Sequence, residues 1–285
     1  MKFLFRFILI SFLFFNIWFK EAISSNWKEM QSEHFTVYYV GDDKFAKEVL
    51  SAAEKYYQHI AFDIGYPRYS EFWTWDKRAK IYIYPTKNDF LKATSQPQWS
   101  EGMANYSDKT IISYAWSKGF IESLLPHEMA HLIFRDFVGF KGEIPLWLDE
   151  GVAQWAEVAK RQHIKELIKK FFNDDALLSL NDLTKLDIRN LKDQNRVYIR
   201  PTRTKEGGSG VLFISLEQLI STYYLQSASL VGFLIERYGS SDFAAFCRQL
   251  RDGKSLDEAI RAVYGIHFEN IEELETIWRK YISEK

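Results

Sequence analysis

The chain has 285 residues and a formal net charge of −1 at pH 7. A nearly neutral chain carries no excess of positive charge for a polyanion, so its composition argues against a nucleic-acid partner. Aromatic residues make up 17% of the sequence, which favours a packed globular body over disorder. Because Cys247 is the single cysteine, no intramolecular disulfide can form and the fold must rely on its core.

Residues 1–24 have the pattern of a targeting segment. Lys2 and Arg6 supply positive charge ahead of residues 7–19, which are almost entirely apolar. That apolar run is shorter than the ~20 residues a membrane-spanning helix needs. Ala22 and Ser24 place small residues where a signal peptidase would cut. We therefore expect a protein exported to the periplasm or the extracellular space, with residues 1–24 as a signal peptide. The alternative is a retained N-terminal anchor that associates the protein with a membrane.

The first half of the remaining chain alternates between strand and helix patterns. β-Branched and aromatic residues predict strands, and apolar residues at helical spacing predict helices. A helix ending near residue 138 follows the third strand, and its start lies between about residue 120 and Pro126, which a first turn tolerates. In chain order we predict a strand at 34–40, a helix at 43–60, strands at 80–84 and 109–115, and helices ending near 138 and spanning 146–160.

The second half is mainly helical in pattern. Segment 187–210 is polar and basic and ends in a glycine-rich run, so it is predicted to be a flexible excursion. The pattern indicates an α+β fold with a mixed α/β N-terminal lobe, residues 25–142, and a helical C-terminal lobe, residues 143–285. The predicted helices of the second lobe are 162–172, 213–238, 241–251, 255–264 and 269–282.

The candidate metal ligands and the candidate base lie in two neighbouring segments. The first is His127-Glu128-Met129-Ala130-His131, and residues 132–149 separate it from Glu150. Two histidines four apart on a helix lie on the same face, so both imidazoles can reach one metal ion. A carboxylate from a second helix would complete the three protein ligands of a catalytic zinc, with water in the fourth position. Glu128 would stand beside that water as a base. The sequence therefore predicts zinc-dependent hydrolysis of peptide bonds.

The sequence around these residues resembles the gluzincin metallopeptidases, most closely bacterial proteins with a peptidase MA-like domain. The resemblance rests on the HExxH motif followed by Glu150 within Pro145-Leu146-Trp147-Leu148-Asp149-Glu150-Gly151. Residues 27–39 look like the opening strand of that family, and residues 224–239 look like its helix downstream of the site. The resemblance implies a zincin-like metallopeptidase fold, with the metal in the cleft between the two lobes.

The resemblance also suggests further roles. His127, His131 and Glu150 are the expected zinc ligands and Glu128 the expected general base. Gluzincins commonly stabilise the tetrahedral oxyanion with a tyrosine or histidine of the C-terminal lobe, and Tyr224 matches that aromatic, with Tyr223 as its rival.

The sequence departs from the thermolysin-like pattern at the residue that would hydrogen-bond a zinc-ligating histidine. Thermolysin-like enzymes use an acidic residue four positions after the ligand glutamate to hold such a histidine. This chain has Gln154 at that position, and Glu157 on the same helical face is the alternative.

Strand 109–115 is the expected substrate platform. Zincin-like enzymes bind an extended peptide along a sheet edge, and this strand, with Ile112 at its centre, has the matching chain position. The expected partners are a peptide or protein substrate and Zn²⁺, with the protein acting as a monomer. Two alternatives stay open: a zinc-binding envelope protein without peptidase activity, and a zinc amidase acting on a non-protein amide.

Overall fold

The structure is a computed structural model that describes residues 27–66, 73–98, 100–115, 119–140, 144–191, 193 and 195–284. The predicted signal peptide or anchor, residues 1–24, lies outside the described residues. The described chain divides into two compact units, residues 27–59 with 73–132, and residues 60–66 with 133–284. The lobe boundary predicted between residues 142 and 143 stays a prediction. Among the described helices, none combines the length and the apolar character needed to cross a bilayer.

The first unit contains a five-stranded mixed sheet. The strands predicted at 34–40, 80–84 and 109–115 are confirmed, and they form three parallel central strands. Residues 27–39, which the family resemblance gives as one opening strand, form two antiparallel strands, and a further short strand without a sequence prediction pairs antiparallel at the other end, giving the order β1-β2-β3-β5-β4. The strands are β1 (Lys28–Gln31), β2 (Phe35–Tyr39), β3 (Ala79–Tyr84), β4 (Gly102–Asn105) and β5 (Thr110–Tyr114).

One helix, most of a second and the first part of a third belong to the same unit as this sheet. Helix α1 (Asp43–Asp63) confirms the helix predicted at 43–60, and it buries apolar side chains recurring at helical spacing, among them Val49, Ala53 and Tyr57. Helix α2 (Lys87–Thr94) was not predicted, although Thr86 caps it by accepting a hydrogen bond from the Asp89 amide at 3.2 Å. Helix α3 (Leu125–Val138) carries the histidine motif.

The second unit is mainly helical. It contains α4 (Leu146–Ala156), α5 (Arg161–Asn173), α6 (Leu180–Lys185), α7 (Leu216–Tyr238), α8 (Ser240–Arg251), α9 (Leu256–Tyr264) and α10 (Ile271–Glu284). Apart from the short helix α6, each of these corresponds to a predicted helix. A capping box of Ser215 and Gln218 fixes the start of α7. The fold is therefore mixed α/β with a helical C-terminal region, and the metal cleft stays a prediction.

Two expectations for this unit are wrong. Segment 187–210 is not a structureless excursion, because β6 (Val197–Arg203) and β7 (Ser209–Ser215) pair in it as an antiparallel hairpin. For the same reason the C-terminal lobe is not entirely helical, and the helix predicted from residue 213 begins only at Leu216. The hairpin forms because residues 197–199 of β6 and 211–214 of β7 are mostly β-branched or aromatic and favour extended backbone, and Gly207-Gly208 lies in the loop that joins the strands.

Helices α4 and α7 approach each other closely at a glycine. A Cβ atom added to Gly151 would lie 2.6 Å from the Ser227 carbonyl oxygen and 2.7 Å from Val231 Cγ2. Both neighbours belong to α7, and a backbone carbonyl of a helix cannot move aside cheaply. The absence of a side chain at Gly151 therefore allows α4 and α7 to pack closely, and this contact fixes the position of Glu150 relative to α7.

This contact makes Gly151→Ala a test of the packing. We expect the substitution to lower the free energy of unfolding by about 1–3 kcal/mol, because the new methyl group overpacks the helix interface. Urea denaturation monitored by circular dichroism measures the change. Gly208→Ala is the matched control, since that glycine is exposed and its added Cβ would meet only the Thr204 hydroxyl at 3.2 Å. Equal stability of the two variants would contradict the close approach.

Candidate metal centre

Helix α3 places three polar side chains in an apolar setting. His127, Glu128 and His131 are all buried, although residues 129, 130 and 132–134 of the same helix are apolar and buried as well. A helix that is apolar around most of its circumference belongs to a protein interior. Burying imidazole and carboxylate groups there costs free energy unless they are bound by a partner. Stability alone would favour apolar side chains at these three buried positions, so His127, Glu128 and His131 indicate a functional site.

The helix begins in a way that suits its sequence. A π-helical turn, Phe120–Leu124, leads into α3, and the Leu125 amide donates to the Phe120 carbonyl. Pro126 is the second residue of α3, and because it has no N–H it cannot donate to the preceding π-helical turn, which marks the change from one helix type to the other. π-Helical turns are often found at functional sites. The start that the sequence left open is thus Leu125, two residues before His127.

The two histidines are arranged as a pair. Their Nε2 atoms lie 3.3 Å apart, and the ring planes are inclined by 80° with centroids 4.9 Å apart. Two nitrogen ligands at the usual zinc distance of ~2.05 Å, separated by a tetrahedral angle, would be about 3.3 Å apart. The spacing of the two nitrogens therefore matches two positions of one tetrahedral zinc site.

Helix α4 supplies the third candidate ligand. Glu150 is buried, and its carboxylate forms a group with the two imidazoles in which all three ligand atoms lie within 4.8 Å of one another. Two neutral imidazole nitrogens and one carboxylate are a donor set typical of catalytic zinc, which keeps its fourth position open. The residues present fit the metal that the sequence motif implies.

Two tyrosines of α7 compete for the role of oxyanion donor. Tyr223 is buried, and within the described part of the chain its hydroxyl has no hydrogen-bond partner. It lies one turn before Ser227 and two before Val231, the α7 residues that meet Gly151, so it shares the face turned toward α4. Burial first, and then the negative charge of Glu150, raises the pKa of the Tyr223 phenol far above its usual value.

Tyr224 lies on a different face of the same helix. It is half-buried, and its ring makes an edge contact with Tyr223 at a centroid distance of 6.1 Å. Successive helical residues point about 100° apart, so both rings cannot face α4. The role predicted for Tyr224 stays a prediction, but the packing favours its rival Tyr223.

The residues predicted to support a ligand histidine lie at the end of α4. Gln154 is half-buried, and its carbonyl accepts a hydrogen bond from the Glu157 amide at 3.3 Å. Glu157 is buried and forms an ion pair with Lys160 at 2.5 Å. Their predicted support of an imidazole stays a prediction.

The expectation that strand 109–115 is a sheet edge is wrong. β5 lies between β3 and β4, and Ile112 pairs with Tyr82 on one side and Met103 on the other. Its side chain is buried in a cluster with Phe90 and Leu91 of α2. The backbone of Ile112 therefore pairs within the sheet on both sides. The prediction that Ile112 binds substrate as a residue of an edge strand is wrong. Among the described residues, the edge strand on this side of the sheet is β4.

Comparison with known proteins adds one match. The family model Peptidase_MA_2, of the peptidase MA superfamily, matches residues 212–284. A search among curated proteins finds no significant match. The matched range includes Tyr223 and helices α7 to α10, and it lies C-terminal to the three candidate ligands. The resemblance to a peptidase MA-like domain is confirmed over this part of the chain.

Proposed function

We propose that this chain, whose residues 212–284 match the peptidase MA superfamily, is a zinc-dependent metallopeptidase of the gluzincin type. The observation that carries the proposal is the buried group of His127, His131 and Glu150. A superfamily of peptidases implies a peptide or protein substrate, and the donor set fits the metal that peptidase chemistry of this kind uses.

Each ligand residue has a defined task in this proposal. His127 and His131 would hold zinc through their Nε2 atoms and Glu150 through a carboxylate oxygen. When bound, zinc supplies a Lewis acid that makes water more acidic and polarises a carbonyl oxygen. His127 and His131 are both buried on one helix, so α3 would hold the two imidazoles close to the positions that the metal requires.

Glu128 and Tyr223 would act on the substrate. Glu128, between the two ligand histidines in sequence, would accept a proton from the attacking water and deliver it to the departing amine. Tyr223 would donate a hydrogen bond to the oxygen of the scissile carbonyl as negative charge develops there. The raised pKa of its phenol supports this role, because the hydroxyl keeps its proton at neutral pH. Peptide hydrolysis then needs no covalent intermediate.

The place of action is part of the proposal. Residues 1–24 support export to the periplasm or the extracellular space, where the catalytic body would meet peptides or proteins. Sequencing the first residues of the mature protein would distinguish a cleaved signal peptide from a retained anchor.

Metal content tests the proposal directly. We expect the purified protein to bind about one zinc ion per chain and to hydrolyse casein or a peptide library. Removing the metal with a chelator should abolish hydrolysis, and adding zinc should restore it. His131→Ala should reduce the zinc content at least about tenfold, because it removes one of three protein ligands.

The exposed His163 of α5 offers the matched control. His163→Ala should retain wild-type zinc content, as measured by plasma mass spectrometry. The proposal would be contradicted if both variants kept their zinc. It would also be contradicted if the wild type bound zinc but cleaved no peptide.

A further inference from the structure

The β6–β7 hairpin has an exposed apolar face. Ile199 pairs with Phe213 and Pro201 with Val211, so these side chains lie on one face of the two strands together with Val197. The exposed fractions of Val197, Ile199, Val211 and Phe213 are 59%, 61%, 60% and 71%. Scattered apolar residues on a surface are ordinary, but a contiguous set on one sheet face marks an interaction site.

The other face of the hairpin already explains how it is held in place. Tyr198, Thr202 and Ile214 are buried there, and the Thr202 hydroxyl donates a hydrogen bond to the Leu177 carbonyl. The outer apolar side chains contribute nothing to this anchoring. The anchoring of the hairpin therefore does not explain why valine, isoleucine and phenylalanine side chains are exposed on its other face.

The two edges of the hairpin differ. The outer edge of β6 bonds to the preceding segment, since Leu178 bridges to Thr202 and the Ser179 amide donates to the Pro201 carbonyl at 2.9 Å. Throughout the described residues, β7 has β6 as its sole strand neighbour. An edge of this kind accepts an added strand through main-chain hydrogen bonds. Alternate side chains of that strand would lie beside Val211 and Phe213.

The position of β7 points to a polypeptide substrate. β7 ends at Ser215 and continues directly into α7, which carries Tyr223. Tyr223 lies eight positions after Ser215, and at a rise of ~1.5 Å per position the two are roughly 12 Å apart along the helix axis. An extended peptide covers ~3.3 Å per residue, so a segment about four residues away from a bond cleaved at Tyr223 would reach the hairpin.

Two other occupants fit less well. The exposed charged residues close to the two strands in sequence carry both signs, namely Arg196, Lys205, Glu206 and Glu217. Arg200 and Arg203 of β6 form ion pairs with Asp182 at 3.7 Å and Glu275 at 4.0 Å, so the hairpin does not offer a basic surface for anionic lipid. Four side chains expose an apolar area of roughly a few hundred Å², whereas a stable protein–protein interface buries about 1,200–2,000 Å². A second copy would need more surface than this face offers.

We infer that β7 binds an extended apolar segment of the substrate as an added strand, at a distance of several residues from the cleaved bond. The inference rests on the proposed peptidase function and specifies its substrate class, a polypeptide with an accessible apolar stretch, such as an unfolded protein. Main-chain pairing supplies affinity, and Val211 and Phe213 select apolar residues at alternate positions.

Direct binding tests this inference without relying on catalysis. The probe is a fluorescein-labelled ten-residue peptide that alternates valine with serine, added to the full chain carrying Glu128→Gln so that it is not cut. Adding Val211→Thr and Phe213→Thr should raise the Kd measured by fluorescence anisotropy about tenfold. A probe N-methylated at alternate amides should also bind about tenfold more weakly. Ile266→Thr is the matched control, because this side chain is 90% exposed elsewhere in the same unit.

A second measurement locates the bound peptide. A benzophenone-bearing version of the probe should crosslink to residues 209–215, as mapped by mass spectrometry. Crosslinks confined to other residues, or equal Kd values for the double variant and the control, would overturn the inference. So would a wild-type dimer in sedimentation, or binding to anionic phospholipid vesicles, if the double variant abolished either one. Hydrolysis of a fluorogenic tripeptide by the wild type is scored separately, so that failure of catalysis is distinguishable from failure of docking.

Discussion

Replacing Glu128 with glutamine should lower kcat/KM for peptide hydrolysis by a factor of about 10²–10⁴, the usual contribution of a general base. Glutamine has almost the shape of glutamate but cannot accept the proton of the attacking water. Glu128 is buried on the helix that carries both ligand histidines, and it is not one of the three grouped donors. The zinc content should therefore remain that of the wild type. Steady-state kinetics and metal analysis on the same preparation measure both quantities.

Glu122→Gln provides the matched control for this experiment. Glu122 lies in the π-helical turn ahead of α3 and is exposed, so the same chemical change there should leave hydrolysis within about threefold of wild type. If Glu128→Gln hydrolysed peptides at the wild-type rate with zinc bound, Glu128 would not be the base. If Glu128→Gln lost its zinc, Glu128 would be needed for metal binding and not for proton transfer.

The second large effect is expected at α7. Tyr223→Phe should reduce kcat by about 10²–10³ and change KM little, because the hydroxyl would bind the oxyanion only as it forms. The substitution removes one oxygen from a buried side chain whose hydroxyl has no hydrogen-bond partner among the described residues. Stability should therefore fall by less than about 1 kcal/mol. Kinetics and thermal denaturation together separate a catalytic role from a structural one.

Tyr224→Phe makes the same change one residue further along. Because Tyr224 lies about 100° around the helix from Tyr223, its variant should keep kcat within about threefold of wild type. The opposite result, with Tyr224→Phe inactive and Tyr223→Phe active, would restore the assignment that the family resemblance suggested. If neither variant lost activity, another group would have to donate the hydrogen bond to the oxyanion.

Much of the candidate site follows from local rules of the chain. The four-residue spacing of His127 and His131 places them on one face of any helix, whatever that helix packs against. The central strands were also predictable, because runs of β-branched and aromatic residues favour extended backbone.

Other features depend on which elements become neighbours. The order of strands in a sheet is not encoded in the apolar pattern of any one strand, so the pattern of β5 does not reveal that β4 pairs beside it. β4 itself has four residues, too few for a periodic pattern to stand out. The hairpin is not evident from the sequence, because the polar residues before Val197 and the glycine-rich loop indicate an irregular segment, and the apolar run at residues 211–214 also fits the start of the helix that follows.

The two tyrosines show the same limit at the level of a single side chain. Helical periodicity shows that Tyr223, Ser227 and Val231 share one face, but α7 is buried around most of its circumference. Its apolar pattern therefore cannot identify the face that meets α4. The sequence by itself determined the donor set, its spacing and the secondary structure that presents it, because these depend on short-range geometry. Only the tertiary structure decided the sheet edge, the exposed hairpin face and the tyrosine turned toward Glu150, because each depends on contacts between residues far apart in the chain.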